Sequence, residues 1–223
     1  MREELSRYFT VPLSFANDAN CAIIGETIAG AAKGHQHVIL LTLGTGVGSG
    51  IIIGGKLFSG GDGLGAEMGH LPLVFEGIPC SCGLRGCLEC YASASALVRQ
   101  TRDAMKDHPE SSMHAWVQEH GEVNGETSFA CAARGDAAAR QVVDQYTAYL
   151  ACALGGITNI FRPELILLGG GVSHAGEALL EPVRKKIPKY TLAYDIVGGP
   201  DVRAAALGND AGIIGAAYLD QMQ

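Results

Sequence analysis

The sequence predicts an α/β domain built on a mixed sheet, and three observations carry that reading. Two apolar runs, at 38–43 and 51–53, flank a glycine turn as the arms of a hairpin do. Between 136 and 161, apolar residues recur at Val142, Val143, Tyr146, Leu150, Leu154, Ile157 and Phe161, the spacing of a long helix with one buried face. The remainder reads strand, helix, strand, helix, the order of parallel crossovers. Antiparallel pairing comes first and parallel pairing later. All-β and all-helical folds are excluded.

In chain order, residues 1–9 read as the tail of a helix, and Val11-Pro12-Leu13-Ser14-Phe15 as a short strand-like run. Asn17-Asp18 then precede a helix over 19–32, with apolar spacing at Ile23, Ile24, Ile28 and Ala31. The 38–43 strand, the 51–53 strand, a Gly54-Gly55 turn and a third strand at 56–58 form a meander. Residues 59–90 are loop, rich in glycine and cysteine. Ser93 caps a helix running to about 108, and the polar stretch 109–127 reads as a helix and loop. The long helix, a strand at 165–168, a glycine turn, a helix near 175–187, a strand at 202–207 and a terminal helix at 210–222 complete the chain. No Pro/Ser-rich linker and no internal repeat divides it.

Composition narrows the function. Of 223 residues, 48% are apolar and 17% charged, which excludes general disorder. Lys plus Arg number 16 against 23 Asp plus Glu, a formal charge of -7 that argues against broad nucleic-acid or anionic-membrane binding. No apolar run reaches the roughly 20 residues of a spanning helix, and Met1-Arg2-Glu3-Glu4 does not begin a signal peptide. A soluble, cytoplasmic protein is the expectation. Glycine, at 31 residues, is about twice its usual share. Seven cysteines cannot all pair internally, and four of them, Cys80, Cys82, Cys87 and Cys90, fall within eleven residues.

Five constellations could carry chemistry. The stretch LGTGVGSG at 43–50 places glycines between two strands, and two readings stay open: an anion cradle in which Thr45 adds a hydroxyl, or a tight hairpin needing positive φ. Asn17-Asp18 reads first as a helix cap, and second as a carboxylate able to take a proton from a hydroxyl. Glu67 and His70, three apart among glycines, can be presented to one ligand by a single turn. His70-x9-Cys80-x-Cys82-x4-Cys87 offers three thiolates and an imidazole, the donor set of a closed structural zinc site, with Cys90 left over. Finally, LILLGGGVS at 165–173 runs a buried strand into a glycine turn, a geometry that admits a phosphate or a flat ligand.

Together these segments resemble the ROK family of sugar kinases and sugar-responsive regulators. The matching pieces are FANDAN at 15–20, LGTGVGSGII at 43–52, GLGAEMGH at 63–70, PCSCGLRGCLECYAS at 79–93 and LILLGGGVS at 165–173. The resemblance implies an actin/hexokinase-like (ribonuclease H-like) fold whose lobes close over ATP and a hexose. It implies that Asp18 is the catalytic base and that Asn17, Glu67, His70 and Glu89 hold sugar hydroxyls. Thr45 and Gly46 would approach the ATP phosphates, and Gly169, Gly170 and Gly171 the adenosine. Structural Zn2+ would sit on His70, Cys80, Cys82 and Cys87, and Mg2+ would accompany ATP. The implied activity is transfer of the γ-phosphoryl group to a hexose, with glucose the leading substrate and a homodimer the implied assembly. A sugar-sensing transcriptional regulator and a non-catalytic sugar-binding remnant are the alternatives.

The sequence departs from the family pattern in two places. Cys90 stands where the family usually has alanine. The family's Asp-x-Gly-Gly-Thr phosphate hairpin is not found, since Asp210-Ala211-Gly212 lacks the following Gly-Thr. The expected organisation is therefore a remnant of an inter-lobe connection at 1–14, the large kinase lobe at 15–208 with its zinc loop at 70–90, and a C-terminal helix at 209–223. On this reading the chain folds around its zinc loop but lacks kinase activity alone.

Overall fold

In the computed structural model, which describes residues 2–222, five strands form one sheet in the order β3-β2-β1-β4-β5. Strand β1 (Val38–Leu43) pairs antiparallel with β2 (Val47–Ile53), which pairs antiparallel with β3 (Lys56–Leu57). On its other side β1 pairs parallel with β4 (Leu165–Gly169), and β4 with β5 (Asp201–Ala204). The hairpins precede the crossovers, as the sequence predicts.

Eleven helices surround this sheet among the described residues: α1 (Arg2–Leu5), α2 (Asp18–Ala29), α3 (Glu89–Ala92), α4 (Ala94–Asp107), α5 (Met113–His120), α6 (Thr127–Ala133), α7 (Ala137–Phe161), α8 (Glu177–Lys186), α9 (Tyr194–Val197), α10 (Asp210–Ala217) and α11 (Leu219–Met222). None is long and apolar enough to cross a membrane. Strand β1 shows why the central strands are apolar throughout. Its Ile39, Leu41 and Leu43 join the core under α7, with Tyr146, Leu150 and Leu154, while Val38 and Leu40 join Ile23 and Ile24 of α2 on the opposite face. Both faces are covered, so alternation disappears.

Helix α2 crosses α10 at backbone contact. A Cβ at Gly25 would overlap the Ala211 carbonyl, and one at Gly215 the Cys21 carbonyl. Small residues permit this approach, and it fixes the start of α2 against the C-terminal helices.

The structure corrects several element boundaries. Residues 11–15 form no strand, and Val11 is 62% exposed. Strand β2 begins at Val47, so Gly48 and Gly50 lie within it. Neighbours leave no room for side chains there: a Cβ at Gly50 would sit 2.7 Å from Ile23 Cγ2 of α2, and one at Gly48 2.6 Å from Thr42 Oγ1 of β1 and 3.3 Å from Ala19 Cβ of α2. Helix α2 stops at Ala29, where the Glu26 carboxylate takes the Ala31 amide. The predicted 202–207 strand ends at Ala204: the Ala205 amide still reaches Leu168 O at 2.9 Å, and the Ala206 and Leu207 amides then turn to the same carboxylate. Helix α6 is an additional element, and the terminal helix is divided at Tyr218.

Candidate active site and metal centre

Asn17 caps α2, its Oδ1 accepting from the Asn20 amide at 2.7 Å, which leaves its NH2 to reach Glu67 Oε1 at 3.5 Å. Asp18 opens the helix, exposed, with Oδ1 accepting from the Ala19 amide at 2.9 Å. It therefore occupies the cap region the pattern predicts and still presents a carboxylate to solvent. Glu67 leads into a 3-10 turn at Met68–His70 that β2 holds in place. The buried Ser49 hydroxyl donates to the Ala66 carbonyl and accepts from the Met68 amide at 2.9 Å. Ala66 adopts φ 68, and Gly69 lies so close to Val47 that a Cβ would overlap its carbonyl.

Four metal-ligating side chains converge beside this turn. One donor atom from each of His70, Cys80, Cys82 and Cys87 lies within 4.8 Å of the others. Cys82 Sγ is 3.7 Å from Cys87 Sγ, and His70 Nδ1 is 3.8 Å from Cys80 Sγ. A tetrahedron with bonds of about 2.3 Å has edges of about 3.8 Å, so this donor set fits zinc. The loop closes through the Cys80 amide on Leu84 O at 2.9 Å and through left-handed glycines at Gly83 (φ 91) and Gly86 (φ 76). Burial, with the Cys80 and Cys82 thiols beside it, pushes the Cys87 thiol up to about 12. The Leu84 backbone amide pulls Cys82 down. Cys90 stands outside the set. Burial first, then Cys80, raises its thiol to about 11, and it donates to Pro79 O at 3.7 Å.

Glu89, the first residue of α3, joins this loop to the glycine hairpin. Its Oε1 receives Cys80 Sγ at 3.3 Å and Ser81 Oγ at 3.5 Å, while Oε2 accepts from the Val47 amide at 3.2 Å. Gly46 has no room for a side chain, since a Cβ there would overlap that same Oε2.

A cleft of about 580 Å³ opens at the carboxyl ends of β1 and β4, where ligands bind in open α/β sheets. Asp18, Thr42, Gly169, Gly170, Gly171 and Ser173 line it, with Ala205, Ala206, Gly208 and Asn209 opposite. Gly170 requires glycine twice over: φ is 80, and a Cβ would stand 2.6 Å from Leu43 O. The predicted residues thus fall into two groups that meet at α2. Asp18 and the three glycines share the cleft, while Asn17, Glu67, His70 and Glu89 gather at the metal loop. Thr45 and Gly46 lie outside the cleft, Thr45 on a separate depression with Ser95 and Arg102, and Gly46 against Glu89. Thr42, Ser49, Glu26 and the 205–209 wall carry no motif that singles them out. A buried serine or glutamate beside an apolar run was the available signal.

Comparison with known proteins turns this geometry into a kinship. The model of the ROK family matches residues 1–223. This chain belongs to the ROK family. A glucokinase of Halalkalibacterium halodurans is 39% identical over 224 residues, covering 100% of this chain and 68% of that protein. A glucokinase of Thermotoga maritima is 40% identical, covering 98% and 69%. Among solved structures, a ROK family glucokinase from Streptomyces griseus in complex with glucose and AMPPNP superimposes with a TM-score of 0.87 at 36% identity, covering 97% of this chain and 70% of that one.

Proposed function

We propose that this ROK protein is a glucokinase, transferring the γ-phosphoryl group of ATP to a hydroxyl of glucose. The observation that carries the reading is the place of Asp18. It lines the cleft that contains Gly169, Gly170 and Gly171, and its neighbour Asn17 reaches Glu67 at the metal loop. A carboxylate between a nucleotide cleft and a sugar clamp is where phosphoryl transfer needs its base. The identity of 39% and 40% to two glucokinases, and the likeness to one holding glucose and AMPPNP, support glucose and ATP as substrates.

In the proposed reaction the Asp18 carboxylate takes the proton of the attacking sugar hydroxyl. The sugar oxygen bonds to the γ-phosphorus as the bond to the bridging oxygen of ADP breaks, and the proton stays on Asp18 until product leaves. Asn17 donates through the NH2 that here reaches Glu67, and Glu67 and Glu89 accept from sugar hydroxyls. Thr45 and Gly46 lie on the hairpin proposed to face the phosphates, and Mg2+ bound with ATP supplies charge neutralisation there. Zinc held by His70, Cys80, Cys82 and Cys87 fixes the loop that carries these groups, with no part in bond making. The protein is proposed to work in the cytoplasm.

A coupled assay of the whole gene product across glucose, mannose, fructose and N-acetylmannosamine, with ATP as donor, tests the reading. Glucose should give the highest kcat/KM. Activity toward another hexose exceeding that toward glucose would overturn the substrate, and none toward any would overturn the kinase.

A further inference from the structure

Glu26 is a fully buried carboxylate in the middle of α2, eight residues beyond Asp18, and the proposed reaction does not use it. Among the described residues no lysine, arginine or histidine forms an ion pair with it. A carboxylate taken out of water needs compensating donors. Here all of them are backbone amides. Oε2 accepts from the Ala31 amide at 2.8 Å, and Oε1 from the Ala206 amide at 2.9 Å and the Leu207 amide at 2.8 Å. The surroundings are shaped to admit the group, since a Cβ at Gly30 would overlap Glu26 Oε2.

The Ala206 and Leu207 amides come from 180 and 181 residues further along the chain. They belong to the segment that leaves β5 and walls the cleft through Ala205, Ala206, Gly208 and Asn209. One helix therefore carries Asp18 at its first residue and, two turns on, the acceptor that ties down the 205–209 wall. Without that acceptor, the Ala206 and Leu207 N–H groups lose their partner, and the wall loses the tie that draws it to α2.

We infer that Glu26 is a positioning residue for the nucleotide: it lines the cleft but exposes no surface of its own, and it holds the 205–209 wall near α2 through the Ala206 and Leu207 amides. The inference rests on the reading of this cleft as the nucleotide site. Glu26→Gln keeps the size of the side chain but leaves one acceptor oxygen for three amides, so an NH2 faces either Ala31 or the two wall amides, and Glu26→Asp keeps the charge with shorter reach.

The test compares both variants with the wild type in the whole gene product. It measures ATP and glucose binding by calorimetry, kinase kinetics, and hydrogen exchange at residues 206 and 207. Glu26→Gln should weaken ATP binding and raise its KM by about tenfold or more, leave glucose binding within about twofold, and speed exchange at those two amides. Glu26→Asp should fall between. Equal weakening of ATP and glucose, or unchanged ATP binding with faster exchange, would overturn the inference. So would failure of both variants to fold, which would assign Glu26 to stability alone. Calorimetry separates the two readings. A wild type that binds ATP but phosphorylates no hexose would sink the kinase proposal and leave the ATP effect of Glu26→Gln to be read.

Discussion

The Val47 amide donates to Glu89 Oε2 at 3.2 Å, while the other oxygen of that carboxylate receives the Cys80 thiol at 3.3 Å. One side chain thus spans from a proposed zinc ligand to the start of β2. As a thiol Cys80 donates to Glu89, and as a zinc thiolate it has no proton to give, so metal binding changes what this carboxylate contacts.

Zinc removal follows from this link. Zinc should be present at about one per chain in protein purified without chelator. Chelation should increase proteolysis and hydrogen exchange across 70–90 and weaken glucose binding by about tenfold or more, since His70 is released and the loop leading to Glu89 loses its anchor. Elemental analysis well below one zinc per chain, or glucose binding indifferent to chelation, would contradict it.

The sugar clamp should discriminate. Glu67→Gln and Glu89→Gln should each weaken glucose binding by about a hundredfold, with ATP binding changed by less than about threefold. Calorimetry with each ligand reads both. Equal losses would mean that the substitutions disturb the fold instead.

Gly46 is constrained by a side chain and not by its own φ. Gly46→Ala would drive a methyl into Glu89 Oε2 and force that carboxylate off the Val47 amide. It should lower stability by about 1–3 kcal/mol and weaken glucose binding as Glu89→Gln does. Thermal unfolding and glucose titration check the two parts. A neutral Gly46→Ala would show that the hairpin can yield.

Acid stability should depend on Asp136, the cap of α7. Burial alone would raise its pKa, but the Ala139 amide at 2.8 Å, the Ser111 hydroxyl at 2.9 Å and the Ser112 amide at 2.6 Å win and lower it from 3.8 to about 2. A depressed carboxylate contributes stability in full above its unfolded pKa and loses it as pH falls through the folded one. The wild type should therefore lose stability between about pH 4 and pH 2, and Asp136→Asn should show a flatter profile in that window. The cap itself should be worth about 1 kcal/mol against alanine. Matching profiles for wild type and Asp136→Asn would remove Asp136 from the account.

Much of this was legible in the residues. Strand β1 and helix α7 announce themselves because packing dictates their apolar periods, and the Cys/His loop because its donor spacing has few other uses. What stayed hidden depends on contacts between distant segments. Gly48 and Gly50 look like turn residues until α2 is seen to lie over them. The 202–207 run looks like one strand until Glu26, 180 residues away, takes the Ala206 amide. Thr45 sits in the glycine motif, yet Thr42 is the threonine that lines this cleft, while Thr45 lines a separate depression with Ser95 and Arg102.

The central claim is that Asp18 removes the proton from a hexose hydroxyl, and one measurement tests it most directly. Wild type and Asp18→Asn of the whole gene product are compared in a coupled assay for glucose 6-phosphate, with glucose binding followed by calorimetry. The account predicts ATP-dependent turnover in the wild type and a kcat lower by about a hundredfold or more in Asp18→Asn, with glucose binding nearly unchanged. Near-normal turnover in Asp18→Asn would return Asp18 to its helix-capping role and contradict the account.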